Sequence, residues 1–231
     1  MKKILLSTLS ALCFTQPLLA NLALHPEEVD FHLEEEKVDI VINKDLAEVT
    51  GTFTFHAEKA DEHSYANHNF DLYLPVYAAE GTPTDQIMPG MTLAGKELKV
   101  TALRPDINPK KVSLRQGFGI MPKVEGQRVY WFWTHVRERN FYKDGETIPD
   151  RYTVKIHYKQ KLSEGKFIYT PLISKQKEGK DYGSITLKAD RPMTLVDSKE
   201  HQFKKEGESL VVEPAHKREI IVELGQKPQI P

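Results

Sequence analysis

The chain has one cysteine in 231 residues, and it stands at position 13. Beyond Cys13 there is no thiol, so no disulfide can brace the fold and no cysteine can act as nucleophile or metal ligand. Long apolar runs are equally scarce. After residue 20 nothing approaches the ~20 consecutive apolar residues that a membrane-spanning helix needs. A Gly-x-Ser-x-Gly elbow, a His-Glu-x-x-His helix and a Gly-rich phosphate loop are all missing, which removes the local signatures of α/β-hydrolases, zinc proteases and nucleotide binding. Charge of one sign is not in excess either. The formal net charge is −1, and the short basic clusters Lys110-Lys111, Arg137/Arg139 and Lys204-Lys205 each have acids or turn residues nearby. These observations lead us to expect no nucleic-acid partner, no cofactor and no transmembrane segment in the mature chain.

What is present begins at the N-terminus. Met1-Lys2-Lys3 is a short positive segment, residues 4–15 are an apolar run with uncharged Ser and Thr, and Pro17 precedes Leu18-Leu19-Ala20. That order is the pattern of a secretory signal peptide, too short to anchor in a bilayer. Cleavage is expected after Ala20, with Ala23 as the second candidate. Leu12 precedes Cys13 where a lipid-modified cysteine would follow a small residue, so no lipid anchor is expected. Removal of Lys2 and Lys3 leaves 30 basic against 33 acidic side chains. The protein is therefore expected to be exported, periplasmic or secreted.

The mature sequence alternates rather than showing a 3.6-residue period. Residues 21–36 read as an extended lead-in, with a helical turn as the alternative over 27–37. Val38, Ile40 and Ile42 alternate with Asp39 and Val41, Asn43-Lys44-Asp45 supplies a turn, and a strand over 46–57 puts Val49, Gly51, Phe53 and Phe55 on one face; together they predict a hairpin. Phe70, Leu72, Leu74 and Val76 define the next strand, placed at a sheet edge or bulged near its end by Pro75. Residues 79–95 have no period and predict a long loop. Further strands are expected over 97–103, 129–134, 152–159, 167–172, 184–189, 193–196, 209–213 and 219–224. The fold class that follows is all-β: an antiparallel β-sandwich, immunoglobulin-like or related, over residues 37–172, with a smaller C-terminal β unit over 183–225 and a tail over 226–231. No flexible linker separates the two parts, so one continuous sandwich is an alternative.

Three groups of residues carry chemistry that a binding site would use. Trp131 and Trp133 point to one face of their strand and Tyr130 and Phe132 to the other; with an open outer face the two indoles form a platform for sugar rings, and with a covered one they belong to the interior. Ile87, Met88 and Met91 are apolar residues in the expected 79–96 loop, where a protein partner would find them. His56, Asp61, His63 and His68 offer imidazole and carboxylate donors to a divalent metal, although their spacings match no closed zinc signature. No triad or catalytic carboxylate pair is indicated.

The pattern resembles the exported β-sandwich domains of the vault/inter-α-trypsin type. The resemblance is carried by Val38-Asp39-Ile40-Val41-Ile42, by Ala47 to Phe53, by Leu72-Tyr73-Leu74-Pro75-Val76, and by the order Ile185-Thr186-Leu187, Arg191-Pro192, Leu195 to His201, Ile220-Ile221-Val222. It departs in lacking the metal-binding Asp-x-Ser-x-Ser loop of the adhesion domain that often follows. The resemblance implies a non-enzymatic sandwich and no particular site. We expect a non-catalytic exported protein that binds an envelope or extracellular protein. The runner-up is a carbohydrate-binding module using Trp131 and Trp133, and the third reading is a metal-dependent or hydrolytic enzyme. Mass spectrometry of the exported protein should find Asn21, or else Leu24, at its N-terminus; an intact Met1 would overturn the export reading.

Overall fold

The computed structural model describes residues 23–26, 31–57, 69–103, 125–137, 140–141, 150–169, 171, 183–196, 202–213 and 220–225. The expected signal peptide and tail lie outside them. The described elements are strands β1 (Ala23–Pro26), β2 (Phe31–Asn43), β3 (Leu46–Ala57), β4 (Asn69–Ala79), β5 (Gly90–Leu93), β6 (Lys96–Glu97), β7 (Thr101–Ala102), β8 (Gln127–Arg137), β9 (Arg151–Lys161), β10 (Lys166–Tyr169), β11 (Gly183–Ala189), β12 (Met193–Val196), β13 (Gln202–Glu206), β14 (Ser209–Glu213) and β15 (Ile220–Leu224), with one 3-10 turn at Thr84–Gln86. The all-β class is as the alternation predicts.

Three sheets share one core. Eight strands run in the order β13-β14-β11-β2-β3-β9-β5-β6, four in the order β1-β4-β8-β7, and three in the order β10-β15-β12. The 2-residue period decides which side chains face inward. In β9 the even-numbered residues 152–160 are all buried and the odd-numbered ones all exposed. Val38, Ile40 and Ile42 of β2 and Val49, Phe53 and Phe55 of β3 join them, and from the four-stranded sheet come Phe70, Leu72, Leu74, Val76 and Phe132. The Phe70 and Tyr152 rings meet edge-on across the two sheets, centroids 5.8 Å apart.

The β2–β3 hairpin forms where expected, with Lys44 in the left-handed region at φ 56°. Two other turns use a left-handed pair, Ala94-Gly95 between β5 and β6 and Glu164-Gly165 before β10, the backbone that matches sheet twist. Pro75 sits within β4 but two residues past Tyr73, where β1 stops pairing. Trp131, opposite Pro75, gives its carbonyl to Leu103 on the other side. The missing N–H of Pro75 therefore points away from β8, to the side where no described strand reaches it, so no ladder bond among the described residues is lost.

Some expectations need correction. The lead-in over 31–36 is the start of β2, whose register shifts between Leu33 and Glu35. That bulge turns Glu36 inward, 1% exposed, where the Tyr169 hydroxyl donates to its Oε1 at 2.7 Å. The segment read as a loop over 79–95 contains the 3-10 turn and β5; a four-residue strand is too short to show a period. β13 is a strand that its sequence, Gln202-Phe203-Lys204-Lys205-Glu206, does not signal. Pairing is also not wholly antiparallel: β11 runs parallel to β2 from Gly183 opposite Glu36 to Ala189 opposite Ile42. The C-terminal strands share sheets with the earlier ones, β11, β14 and β13 extending the eight-stranded sheet and β12 and β15 joining β10.

Gly183 permits the parallel contact. A Cβ there would lie 2.7 Å from the Glu36 carbonyl oxygen and 3.3 Å from the Glu36 Cβ, and backbone cannot swing aside as a side-chain tip can. Gly183→Ala should destabilise the fold by about 1–3 kcal/mol in urea unfolding, whereas Ser184→Ala, on the outer side of the same strand, should be near neutral.

Candidate functional site

The C-terminal strands build a groove. Ala189 ends β11, and Asp190-Arg191-Pro192 carry the chain into β12. Asp190 donates its N–H to the Ile42 carbonyl at 3.2 Å, and its Oδ2 accepts the Lys44 N–H at 3.4 Å. The Arg191 guanidinium donates to the Lys44 carbonyl, with Nε 3.6 Å from Asp190 Oδ1. Gly225 gives its N–H to the Pro192 carbonyl at 2.8 Å. The connection is thus braced on the β2–β3 turn at one side and on the end of β15 at the other.

Between this braced connection and the β13–β14 hairpin lies a groove of ≈ 520 Å³, lined among others by Pro192, Met193, Leu195, Phe203, Lys205 and Leu210. Leu195 and Leu210 form its deep part, 8% exposed each, whereas the Phe203 ring is 49% exposed. Alternation places Phe203 and Lys205 on the groove side of β13. Lys204 and Glu206 are on the other side, where they pair at 2.8 Å. Both walls are sheet edges, since β12 ends the three-stranded sheet and β13 ends the eight-stranded one. The sequence hides this site: Gln202-Phe203-Lys204-Lys205-Glu206 has one apolar residue and no alternation of polarity. The usable signal was the Glu206-Gly207 turn before a clear strand, since a hairpin turn implies a partner strand on its other side.

The sequence-nominated residues are placed as follows. Trp131 and Trp133 do share the outer face of the four-stranded sheet, but Trp131 is 5% exposed, among Tyr73, Leu103 and Val129. Trp133 is half-buried, opposite Tyr73 in register. One step further along, Asp71 and His135 lie opposite each other, with His135 Nδ1 2.9 Å from Asp71 Oδ1 and the Tyr73 hydroxyl donating to Asp71 Oδ2 at 3.5 Å. Ile87 and Met91 are 2% exposed members of the core, and Met88 is 40% exposed, so the three do not form one patch. His56, half-buried at the end of β3, has Nε2 3.8 Å from Asp150 Oδ2. Asp61, His63 and His68 lie outside the described residues. Among the described residues no group of three or more His, Cys, Asp or Glu side chains is arranged to hold a metal ion.

No protein-family model and no curated protein matches the chain. Among solved structures the chain is similar to native leukotriene A4 hydrolase from Saccharomyces cerevisiae, with TM-score 0.40 and 8% identity over 84% of this chain and 29% of that one. The yeast enzyme in complex with bestatin gives TM-score 0.40 and 9% identity, covering 84% of this chain and 28% of the enzyme. The chain spans less than a third of the enzyme's length, and a likeness of this degree carries no activity across.

The outer face of the eight-stranded sheet is polar. His157 Nε2 lies 2.7 Å from Glu48 Oε1; this hydrogen bond, with the positive charges of His157 and Lys159, holds the Glu48 carboxyl below its ordinary range. Arg151 Nε donates to Glu34 Oε2 at 2.7 Å, and Lys37 Nζ is 2.5 Å from Glu35 Oε1.

The different burial of the two indoles is measurable. Trp131→Ala should cost roughly 3–5 kcal/mol, the range for large buried aromatics, and Trp133→Ala distinctly less. Equal losses in urea unfolding would contradict the placement.

Proposed function

We propose that this protein is a non-catalytic recognition module, exported to the cell envelope, that takes an extended segment of a partner protein into the groove as an added strand on β13. The observation that supports this most is the groove itself, an apolar trough bounded by two sheet edges. An edge strand carries unpaired N–H and C=O groups on alternate residues, and an extended segment satisfies them while its alternate side chains enter the adjoining pocket. Here the pocket offers Met193, Leu195 and Leu210 to an apolar side chain and Phe203 as a half-open ring at the mouth. Aromatic anchors of this kind carry much of the energy of protein interfaces. Lys205, exposed on the groove side, gives preference to a segment with an acid two residues from its apolar anchor.

The charged residues of β13 also fit this reading. Lysines on an edge strand deter indiscriminate pairing, so a binding edge has to keep charge while leaving one side open to the right segment. Lys204 is tied to Glu206 on the far side, which leaves the groove side with Phe203 and Lys205. Export is supported by the N-terminal pattern of a positive start, an apolar run and a small residue. Among the described residues no helix is long and apolar enough to cross a membrane.

Phe203→Ala and Lys205→Pro test the site from two directions, one removing the anchor and the other a backbone N–H that β13 turns away from β14. Phe203 is half exposed, so its truncation should cost no more than about 1 kcal/mol in stability. Photo-crosslinking from position 203 in envelope extract should give a discrete protein adduct, absent when the crosslinker is placed at Leu46, and Phe203→Ala should abolish capture of that identified partner. Capture unaffected by Phe203→Ala, or adducts from position 46 alone, would move the site off the groove.

A further inference from the structure

The four-stranded sheet has an outer face of its own, and alternation decides what lies on it. Phe70, Leu72, Phe132 and Val136 go to the core, so Asp71 and Tyr73 of β4 and Trp131, Trp133 and His135 of β8 face the other way. Burial along this face falls in one direction. Trp131 and Pro75, opposite each other, are both buried, and Leu103 and Tyr73 pack against Trp131. The next outward pair, Trp133 and Tyr73, is half-buried, and His135 beyond it is exposed. β7 pairs with β8 only at Thr101 and Ala102, so no described strand flanks His135 on that side. The face forms a shelf, closed at Trp131 and open from Trp133 onward.

A fixed pair of hydrogen-bonding groups stands at the open end. His135 Nδ1 lies 2.9 Å from Asp71 Oδ1, and the two side chains are 34% and 28% exposed. An ionised carboxylate only accepts, so Nδ1 carries the hydrogen, and Nε2 of the neutral ring is left as an acceptor. The Tyr73 hydroxyl reaches Asp71 Oδ2 at 3.5 Å, too long to saturate that oxygen. Asp71 and His135 therefore offer two acceptors on one cross-strand pair, two residues or about 7 Å along the strands from Tyr73 and Trp133. Thr101, exposed and opposite Trp133, adds a hydroxyl at the other flank of the indole.

We propose that this shelf binds the terminal ring of a neutral saccharide, a site separate from the groove. A pyranose has an apolar C–H face and a rim of hydroxyls. Trp133 meets the apolar face, and hydroxyls on one side of the ring donate to Asp71 Oδ2 and His135 Nε2. Those acceptors already hold each other in place, so little freedom is lost when the sugar arrives. Closure at Trp131 specifies a terminal ring, because Leu103 and Tyr73 cover the indole on which a second ring would stack. Charge specifies a neutral one. Among the described residues of β4, β7 and β8 on this face, Asp71 and Arg137 carry the formal charges, one of each sign. A quaternary ammonium is recognised by a cage of several aromatic rings, whereas here a single half-open indole adjoins the acceptors.

The test is saturation-transfer NMR of the whole protein with the methyl glycosides of glucose, galactose, mannose and N-acetylglucosamine, and with glucuronate and tetramethylammonium as charged probes. At least one glycoside should receive saturation at its ring C–H protons, and in an oligosaccharide of that sugar the transfer should concentrate on the terminal ring. Trp133→Ala should weaken binding at least tenfold. Asp71→Asn, which changes only the acceptor end, should melt like the parent and weaken binding to a similar degree. Phe203→Ala should bind like the parent, which separates this result from the fate of the groove. Transfer to none of the four glycosides, binding unchanged in Asp71→Asn, equal loss in Phe203→Ala, even transfer along the oligosaccharide, or tighter binding of glucuronate or tetramethylammonium would each overturn the proposal.

Discussion

The pairing of β2 with β11 is the contact on which the C-terminal third depends. β2 is held on one side by β3 through a tight hairpin, an inexpensive local closure, and on the other by a strand more than 140 residues away along the chain. That second pairing is parallel, so no hairpin can set its register. The register rests instead on inward-facing Ile185 and Leu187 and on the close approach at Gly183, where the Glu36 backbone leaves no room for a Cβ. Glu36 is drawn to that junction from the other side by the β2 bulge and is met by the Tyr169 hydroxyl. One short region thus joins the eight-stranded sheet to the strand that begins the three-stranded one.

The groove follows from that junction rather than from any local motif. Once β11 lies parallel to β2, its end arrives beside the β2–β3 turn, and Asp190 and Arg191 fasten it to Ile42 and Lys44. β12 then has to start from that corner, while β14 pairs with the outer side of β11 and β13 with β14. The result is that the margins of two different sheets face each other across a gap. Proteins usually blunt such margins with charge or cover. Here β13 carries charge on both sides, and its groove side also presents a large half-exposed ring beside the buried Leu210.

Which parts were legible in the sequence divides along physical lines. β3 and β9 were legible because long half-buried strands repeat apolar and polar residues with a period of two, and the β2–β3 hairpin because its turn chemistry is local. β5 was not legible, because four residues cannot display a period, and Ile87 and Met91 looked exposed when they in fact reach the core. The start of β2 was masked by Glu34-Glu35-Glu36: an acidic run reads as solvated, and nothing local shows that a bulge will turn the third carboxylate inward toward a tyrosine 133 residues away. Parallel pairing leaves no mark in one-dimensional alternation at all. The groove was invisible for the same reason, since its walls come from strands that meet only through β11.

The aromatic run on β8 shows how a strong sequence signal can describe packing and recognition at once. Phe132 enters the core completely, and Trp131, on the opposite face, is nearly as buried, so the strand is covered on both sides over that pair of residues. Two positions further on the cover thins, leaving Trp133 half-buried beside Tyr73 and then the Asp71–His135 pair. Burial thus grades along a single strand, which alternation cannot report because it distinguishes faces and not positions along them. The outer face of β8 is thus closed at Trp131 and half open at Trp133, whereas β12 and β13 each end a sheet and leave Phe203 half exposed between them.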